Sequence, residues 1–228
     1  MVGVSTRIRN RAVRTLLKHY LRPKPRTDLK KLGSDYGGWV IPTTLLSHDS
    51  ICYCVGVGED ITFDLELIAR YGCQVFAFDP TPRAMRYMED QTRNIYQFHF
   101  FALGLWSKDE KCKFFAPRNP NHVSHSIMNL QNTSTFFEAE CKRLSSLMNQ
   151  LGHQSLDLLK MDIEGAEHQV LQSLIEDRVQ VRVICVEFDQ PCPMSRILDT
   201  TRNLLRFGYS LVNIDSWNYT FVQNRCLG

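Results

Sequence analysis

Carboxylates recur in this chain just beyond apolar runs of strand length. Asp79 follows Gln74–Phe78, and Asp162 and Glu164 follow Leu156–Met161. Glu187 and Asp189 close the run Val181–Phe188, while Glu59 and Asp60 stand beside the glycines of Val55-Gly-Val-Gly-Glu-Asp60. Gly56 and Gly58 let the backbone come close to a ligand, and a helix N-terminus should follow them. Asp79 ends the next strand, 21 residues after Gly58, where a carboxylate can accept the hydroxyls of a ribose. Together these features point to a nucleoside cofactor. Glu59 and Asp60 would repel a pyrophosphate, and Ile61 stands where a dinucleotide fingerprint has its third glycine. S-adenosylmethionine carries a sulfonium and an ammonium and no phosphate, so the acids favour it over nicotinamide or flavin dinucleotides.

The run Leu158-Leu-Lys-Met-Asp-Ile-Glu-Gly-Ala-Glu167 offers the second piece of chemistry. Period-two geometry puts Lys160 and Asp162 on one face, with Glu164 following. A lysine inside a buried strand needs a partner, which these acids are expected to supply. Asp162, Lys160, Glu164 and Glu187 are therefore the candidate catalytic groups. Asp162, Glu187 and Asp189 could instead hold a divalent cation such as magnesium or manganese through hard oxygen ligands, lowering the pKa of an acceptor hydroxyl. In the metal-free route a carboxylate or a desolvated Lys160 acts as general base; it is preferred here, and both remain open.

Such residues need a scaffold that brings strand ends together. Expected strands are Ile51–Val57, Gln74–Phe78, Tyr96–Leu103, Leu156–Met161 and Val181–Phe188, with closing strands Ser210–Ile214 and Tyr219–Gln223. Helical patterns lie between them at Phe63–Tyr71, Pro82–Gln91, Leu144–Leu151, Ala166–Ile175 and Met194–Arg206. Alternating strand and helix implies a doubly wound α/β fold with a mostly parallel sheet. The short link Asp215-Ser-Trp-Asn218 makes the last two strands an antiparallel hairpin. A seven-stranded Rossmann-like sheet ending this way is the class I methyltransferase variant. Ligands in such sheets bind beyond the carboxyl ends of the strands. Lys113–Phe115 reads as a short extra arm, Gly33–Trp39 as a turn-rich connector, and 117–135 as a long loop, a length that is usually functional or disordered. In that loop His122, Ser124, His125 and Ser126 could hydrogen-bond a polyhydroxylated acceptor. His168 reads as a surface or satisfied histidine.

At 228 residues the chain suits one α/β domain with an extension. The net charge of +3 hides an asymmetry: residues 1–31 hold ten Lys/Arg and one acid, a sum of +9, leaving −6 for the rest. The division expected is a basic helical extension over 1–32 and a catalytic domain over 33–228. Ile8, Val13, Leu16, Leu17, Tyr20 and Leu21 line one side of a helix from Arg7 to Leu21. It could dock on the domain or meet an acidic surface such as a membrane or an anionic glycan. There is no signal-peptide pattern and no apolar run near the ~18 residues of a membrane span. The expectation is a cytoplasmic protein, with peripheral membrane contact open. The eight cysteines lack zinc-ribbon spacing.

Several runs resemble the FkbM family of methyltransferases: Val75-Phe-Ala-Phe-Asp-Pro-Thr-Pro82, Phe101-Ala-Leu-Gly104, Val123-Ser-His-Ser126, and above all Leu159-Lys-Met-Asp-Ile-Glu-Gly-Ala-Glu167 with Val186-Glu-Phe188. The resemblance covers about residues 50–190. It implies methyl transfer to oxygen, commonly on sugars or polyketide hydroxyls. It also implies Asp79 on the ribose, Ala102 and Leu103 beside the adenine, and Lys160, Asp162 and Glu164 near the acceptor. Cys54 stands where members usually carry an acid, so Glu59 or Asp60 is expected at the methionine end of the cofactor. The function expected is S-adenosylmethionine-dependent O-methylation of a sugar, glycan or similar polyhydroxylated small molecule. The alternatives are a nicotinamide-dependent oxidoreductase and a non-catalytic cofactor-binding module. Nucleic acid is disfavoured as a substrate, because the basic residues cluster in one helix and no aromatic stacking platform accompanies them.

Overall fold

The computed structural model describes residues 4–119, 125–189 and 191–227, with side chains from residue 10 onward. A helix α1 (Val4–Leu21) leads into a hairpin of β1 (Leu29–Leu32) and β2 (Trp39–Pro42). Then come β3 (Ile51–Val55), α2 (Thr62–Tyr71), β4 (Gln74–Phe78), α3 (Pro82–Gln91), β5 (Phe98–Phe101) and β6 (Gly104–Leu105). They are followed by β7 (Glu110–Phe115), β8 (Phe136–Lys142), α4 (Leu144–Leu151), β9 (Leu156–Met161), α5 (Glu167–Glu176) and β10 (Val181–Glu187). The chain closes with α6 (Met194–Phe207), β11 (Tyr209–Asp215) and β12 (Asn218–Gln223).

The main sheet has seven strands in the order β11-β12-β10-β9-β3-β4-β5. Strands β5, β4, β3, β9 and β10 run parallel, and β12 is antiparallel to both β10 and β11. This is the expected α/β, Rossmann-like arrangement with its closing hairpin. The order reverses at β3, whose neighbours are β4 on one side and β9 on the other. A crevice therefore opens above the ends of β3 and β9.

Strand alternation separates two cores. Tyr53, Val55, Phe78, Leu159, Met161, Ile184 and Val186 face α4, α5 and α6. Cys52, Cys54, Val75, Ala77, Leu158, Val183 and Cys185 face α2, α3 and the β1–β2 hairpin. Burial on both faces explains why these strands read as unbroken apolar runs. Thr81 caps α3, accepting from the Ala84 amide at 3.4 Å, and Pro82 sits at the first turn. Leu17 of α1 is fully buried in the α4–α6 core, and Arg14 reaches Ser216 at 2.7 Å across the chain. No described helix is long and apolar enough to cross a membrane.

Three features differ from expectation. The Gly33–Trp39 stretch is the turn of a hairpin, since Leu29–Leu32 pairs antiparallel with Trp39–Pro42. The long loop leads into β8, the middle strand of a separate sheet ordered β6-β8-β7, packed by Cys112, Phe114 and Cys141. The strand expected over Tyr96–Leu103 is confined to Phe98–Phe101.

Candidate active site at the strand ends

A cavity of about 1210 Å³ lies above the carboxyl ends of β3, β4, β9 and β10. Roughly 300–1,000 Å³ holds a drug-sized ligand, so this space admits a cofactor and an acceptor together. Of the residues named from sequence, Gly56, Gly58, Glu59, Asp60 and Asp79 line it, as do Lys160, Asp162, Glu164, Glu187, Asp189 and His125. His122 and Ser124 lie outside the described residues. Ala102 and Leu103 do not line the cavity; the wall there is formed by Gly104 and Leu105, because the chain turns back into the small sheet at that point.

One half of the cavity is built on the glycine loop. Gly56 (φ +72°) has no room for a side chain, because the carbonyl of Asp162 fills the position its Cβ would take. The Gly58 amide donates to Asp79 Oδ2 at 2.9 Å. The Thr81 amide and hydroxyl donate to Asp79 Oδ1 at 2.8 and 2.6 Å. A carboxylate has about four acceptor positions, and these three bonds leave room for a single further donor. Asp79 thus keeps one open acceptor position facing the cavity. Asp60 is engaged by the protein: its Oδ1 accepts from the Thr62 amide and hydroxyl at 2.9 and 2.6 Å, and its Oδ2 from Ser34 Oγ at 2.6 Å. Glu59 pairs with Arg83 at 2.6 Å in a half-exposed position.

The other half is built on β9 and β10. Lys160 is buried, and its ammonium donates to the carbonyls of Gly56 at 2.8 Å and Val55 at 3.3 Å. The expected ion pair with Asp162 or Glu164 is not formed among the described residues; the bend after β3 turns two carbonyls toward the lysine instead. Lys160 also sits 5.7 Å from the ring centre of Trp39. Asp162 continues the strand ladder, its amide donating to Val55 O at 3.1 Å. Burial pushes its carboxyl up, the nearby Asp79 charge adds to that, and Lys160 opposes it. Glu187 is pushed up to about 8, first by burial and then by the charges of Asp162 and Glu164.

Glu164 adopts φ +55°, a strained conformation for a side-chain-bearing residue. Its carbonyl accepts Ser126 Oγ at 2.5 Å, and Ser126 is itself buried. Ser126 therefore braces the Glu164 turn and does not face the cavity. His125 does, with its ring edge-on to Phe137 at 5.2 Å.

Sequence reasoning did not single out Glu167. It is fully buried, and its Oε1 accepts the amides of Ile163 and Gly165 at 3.1 and 3.0 Å, closing the Asp162–Gly165 turn. Burial, and then the Glu167 charge, pushes Asp189 up to about 11. The Asp189 Oδ2 accepts the Gly165 amide at 3.1 Å. One oxygen each from Asp162, Glu164 and Asp189 lie within 4.8 Å of one another, a set that could hold a cation; Glu187 is outside it. His168 is buried and satisfied, bonded to Thr200 Oγ1 at 2.7 Å and Cys192 Sγ at 3.2 Å.

Two turns complete the cavity; the sequence marked both as turns but did not place them in the site. The β1–β2 turn contributes Lys31, Asp35, Tyr36, Gly37 and Gly38, and the β11–β12 turn contributes Asp215, Ser216 and Asn218. The Gly37-Gly38 pair was the one signal in the sequence that the chain makes a close approach there. Nine carboxylate residues and two lysines line the whole space.

The family model of the methyltransferase FkbM domain matches residues 50–211. The probable methyltransferase-like protein 24 of Rattus norvegicus is 28% identical over 162 residues, covering 70% of this chain and 38% of that protein. The chain therefore spans well under half the length of that relative. The 2-O-methyltransferase NoeI of Sinorhizobium fredii (strain NBRC 101917 / NGR234) is 26% identical over 180 residues, covering 70% of this chain and 74% of that protein. Among solved structures, Aeropyrum pernix fibrillarin in complex with natively bound S-adenosyl-L-methionine aligns over 89% of this chain and 85% of its own, at 9% identity and a TM-score of 0.47.

Proposed function

The chain belongs to the FkbM methyltransferase family, and from that premise we propose that it moves a methyl group from S-adenosylmethionine to a hydroxyl of a sugar, glycan or similar polyhydroxylated small molecule. One observation carries the reading: a glycine loop tied to Asp79 and an acid cluster on β9 and β10 share a single cavity. The chain's own residues suit this cofactor. Gly58 leaves open space at its Cβ position, Asp79 keeps one acceptor position, and the surrounding carboxylates favour a cationic ligand. When bound, the cofactor supplies an electrophilic methyl group. NoeI, by its name a 2-O-methyltransferase, supports oxygen as the acceptor atom.

Glu187 is the general base in this proposal. It lines the acceptor side and titrates close to working pH, the condition under which a base is most effective. Asp162 orients the acceptor hydroxyl. Lys160, whose ammonium bonds the carbonyls of Val55 and Gly56, holds the glycine loop against β9. A second reading places a divalent cation on Asp162, Glu164 and Asp189. The metal-free reading is preferred, because Glu187, the proposed base, lies outside that cluster and needs no cation to act. The expected boundary at 32/33 falls inside the β1–β2 hairpin, whose Lys31 lines the cavity, so in the same proposal the basic helix α1 is the extension that meets an acidic surface and the hairpin belongs to the catalytic domain, in a cytoplasmic setting.

The test is calorimetric titration with S-adenosylhomocysteine, then incubation of methyl-labelled cofactor with a panel of polyols, with and without EDTA. Binding with labelled ether product supports the proposal. Binding without product on any acceptor favours the non-catalytic module, and loss of product in EDTA favours the cation.

A further inference from the structure

Tyr36 sits at the apex of the β1–β2 turn with 88% of its surface exposed, yet it lines the cavity. A ring exposed at the rim of a cleft, apolar on its face and polar at its tip, is placed to meet what enters that cleft. The turn that carries it is fixed by four bonds. The Gly33 amide donates to Glu66 Oε2 at 2.7 Å, and the Ser34 amide to Thr62 Oγ1 at 2.8 Å. Ser34 Oγ donates to Asp60 Oδ2 at 2.6 Å and accepts the Gly37 amide at 2.8 Å. A Cβ on Gly37 would lie 2.7 Å from Asp60 Oδ2, so the turn is pressed onto the glycine loop. The ring is thus presented by a rigid element and has only its own two side-chain torsions to lose on binding. Partial desolvation, and then the charges of Asp162, Glu164 and Glu187, raise the pKa of its hydroxyl.

We propose that Tyr36 is a specificity-determining residue of the acceptor half, its ring serving as the platform for the apolar face of an uncharged, ring-shaped polyol whose hydroxyls point to Asp162 and Glu187. The inference rests on the methyl-transfer reading above and adds the residue that selects the acceptor. Tyrosine suits this task because it pairs a broad apolar face with a polar tip. The carboxylates beneath it accept hydroxyl protons and repel anions.

The experiment uses the full chain saturated with S-adenosylhomocysteine and a panel of neutral methyl pyranosides, titrated by saturation-transfer NMR. Tyr36→Ala should weaken pyranoside binding about tenfold, or about 1.4 kcal/mol. Tyr36→Phe should stay within about twofold, because the face is kept. S-adenosylhomocysteine affinity should be the same in all three proteins. In turnover, Tyr36→Ala should raise KM for the acceptor and leave kcat in place. Unchanged pyranoside affinity in Tyr36→Ala overturns the assignment while leaving the methyl-transfer reading intact. A parallel loss of S-adenosylhomocysteine affinity also overturns it, since the turn would then be acting on the cofactor loop. If the unaltered protein binds S-adenosylhomocysteine but no pyranoside, the sugar reading falls and Tyr36 with it.

Discussion

The backbone carbonyl of Asp162 occupies the space that a side chain on Gly56 would need, so the glycine loop and the end of β9 are fitted against each other at that one residue. Gly56→Ala must push β9 away or abandon φ +72°. It should cost about 2–4 kcal/mol of stability and abolish S-adenosylhomocysteine binding. Gly58→Ala is the control, because its Cβ would meet nothing within 4 Å. It should cost about 1 kcal/mol and act mainly on cofactor affinity. Thermal unfolding and calorimetry of both variants separate the two effects; equal stability losses would refute the contrast.

Asp79 joins the glycine loop to the α3 cap through Gly58 and Thr81. Replacement by alanine removes a charged acceptor, worth about 1.5–3 kcal/mol. S-adenosylhomocysteine affinity should fall roughly 10- to 100-fold. Retained affinity would refute its role at the ribose.

Glu187, pushed up to about 8, must lose its proton before it can take one from an acceptor. Turnover should therefore rise with pH through about 8 and level above it. Glu187→Gln should lower the plateau by roughly 10²–10⁴-fold and remove that inflection. Asp162→Ala should abolish turnover and spare cofactor binding. A pH profile in Glu187→Gln matching that of the unaltered protein would assign the base elsewhere.

Buried His168 is pushed down to about 4, chiefly by burial and then by the Arg196 charge. Its unfolded value is about 6.5. A depressed histidine resists protonation in the fold, so its contribution is complete above about 6.5 and is lost as pH falls toward 4. The loss should reach about 3 kcal/mol. Glu187 and Asp189, pushed up, titrate in the opposite sense, so urea unfolding of the unaltered protein and of His168→Gln at pH 7.5 and pH 4.5 isolates this contribution; a difference between the two proteins that does not change with pH would contradict the burial argument.

The carboxylate excess around the cavity predicts rejection of anionic acceptors. A methyl pyranoside 6-phosphate should bind at least about tenfold more weakly than its neutral parent at low ionic strength, and the gap should narrow as salt is added. Equal affinity at low salt would be incompatible with the electrostatics described.

The doubly wound sheet was legible because its strands are buried on both faces and end in glycine or acid, as Ile51–Val55 and Gln74–Phe78 do. The strand-end acids followed from that register. The β1–β2 hairpin was not legible, since Leu29-Lys-Lys-Leu32 exposes both lysines and shows no apolar run. Tyr36 enters the site through bonds from Gly33 and Ser34 to Glu66, Thr62 and Asp60, 26 to 33 residues away, which no local pattern encodes. The partners of Lys160 were misjudged for a similar reason: its carbonyl acceptors exist only once the Gly56 bend has formed. Strand β8 alternates exposed and covered residues with Glu138 and Glu140 among them, so it carries little hydrophobic signal.

Asp60 fastens the β1–β2 turn to the loop that meets the cofactor. On the proposed reading, acceptor choice and cofactor grip are coupled at the base of the turn and independent at its tip. Ser34, Gly37 and Asp60 form a fixed chassis, whereas positions 35 and 36 are open to exchange at small structural cost. A lineage, or an engineer, seeking a new acceptor has two freely variable positions mounted on a frame that tolerates little change.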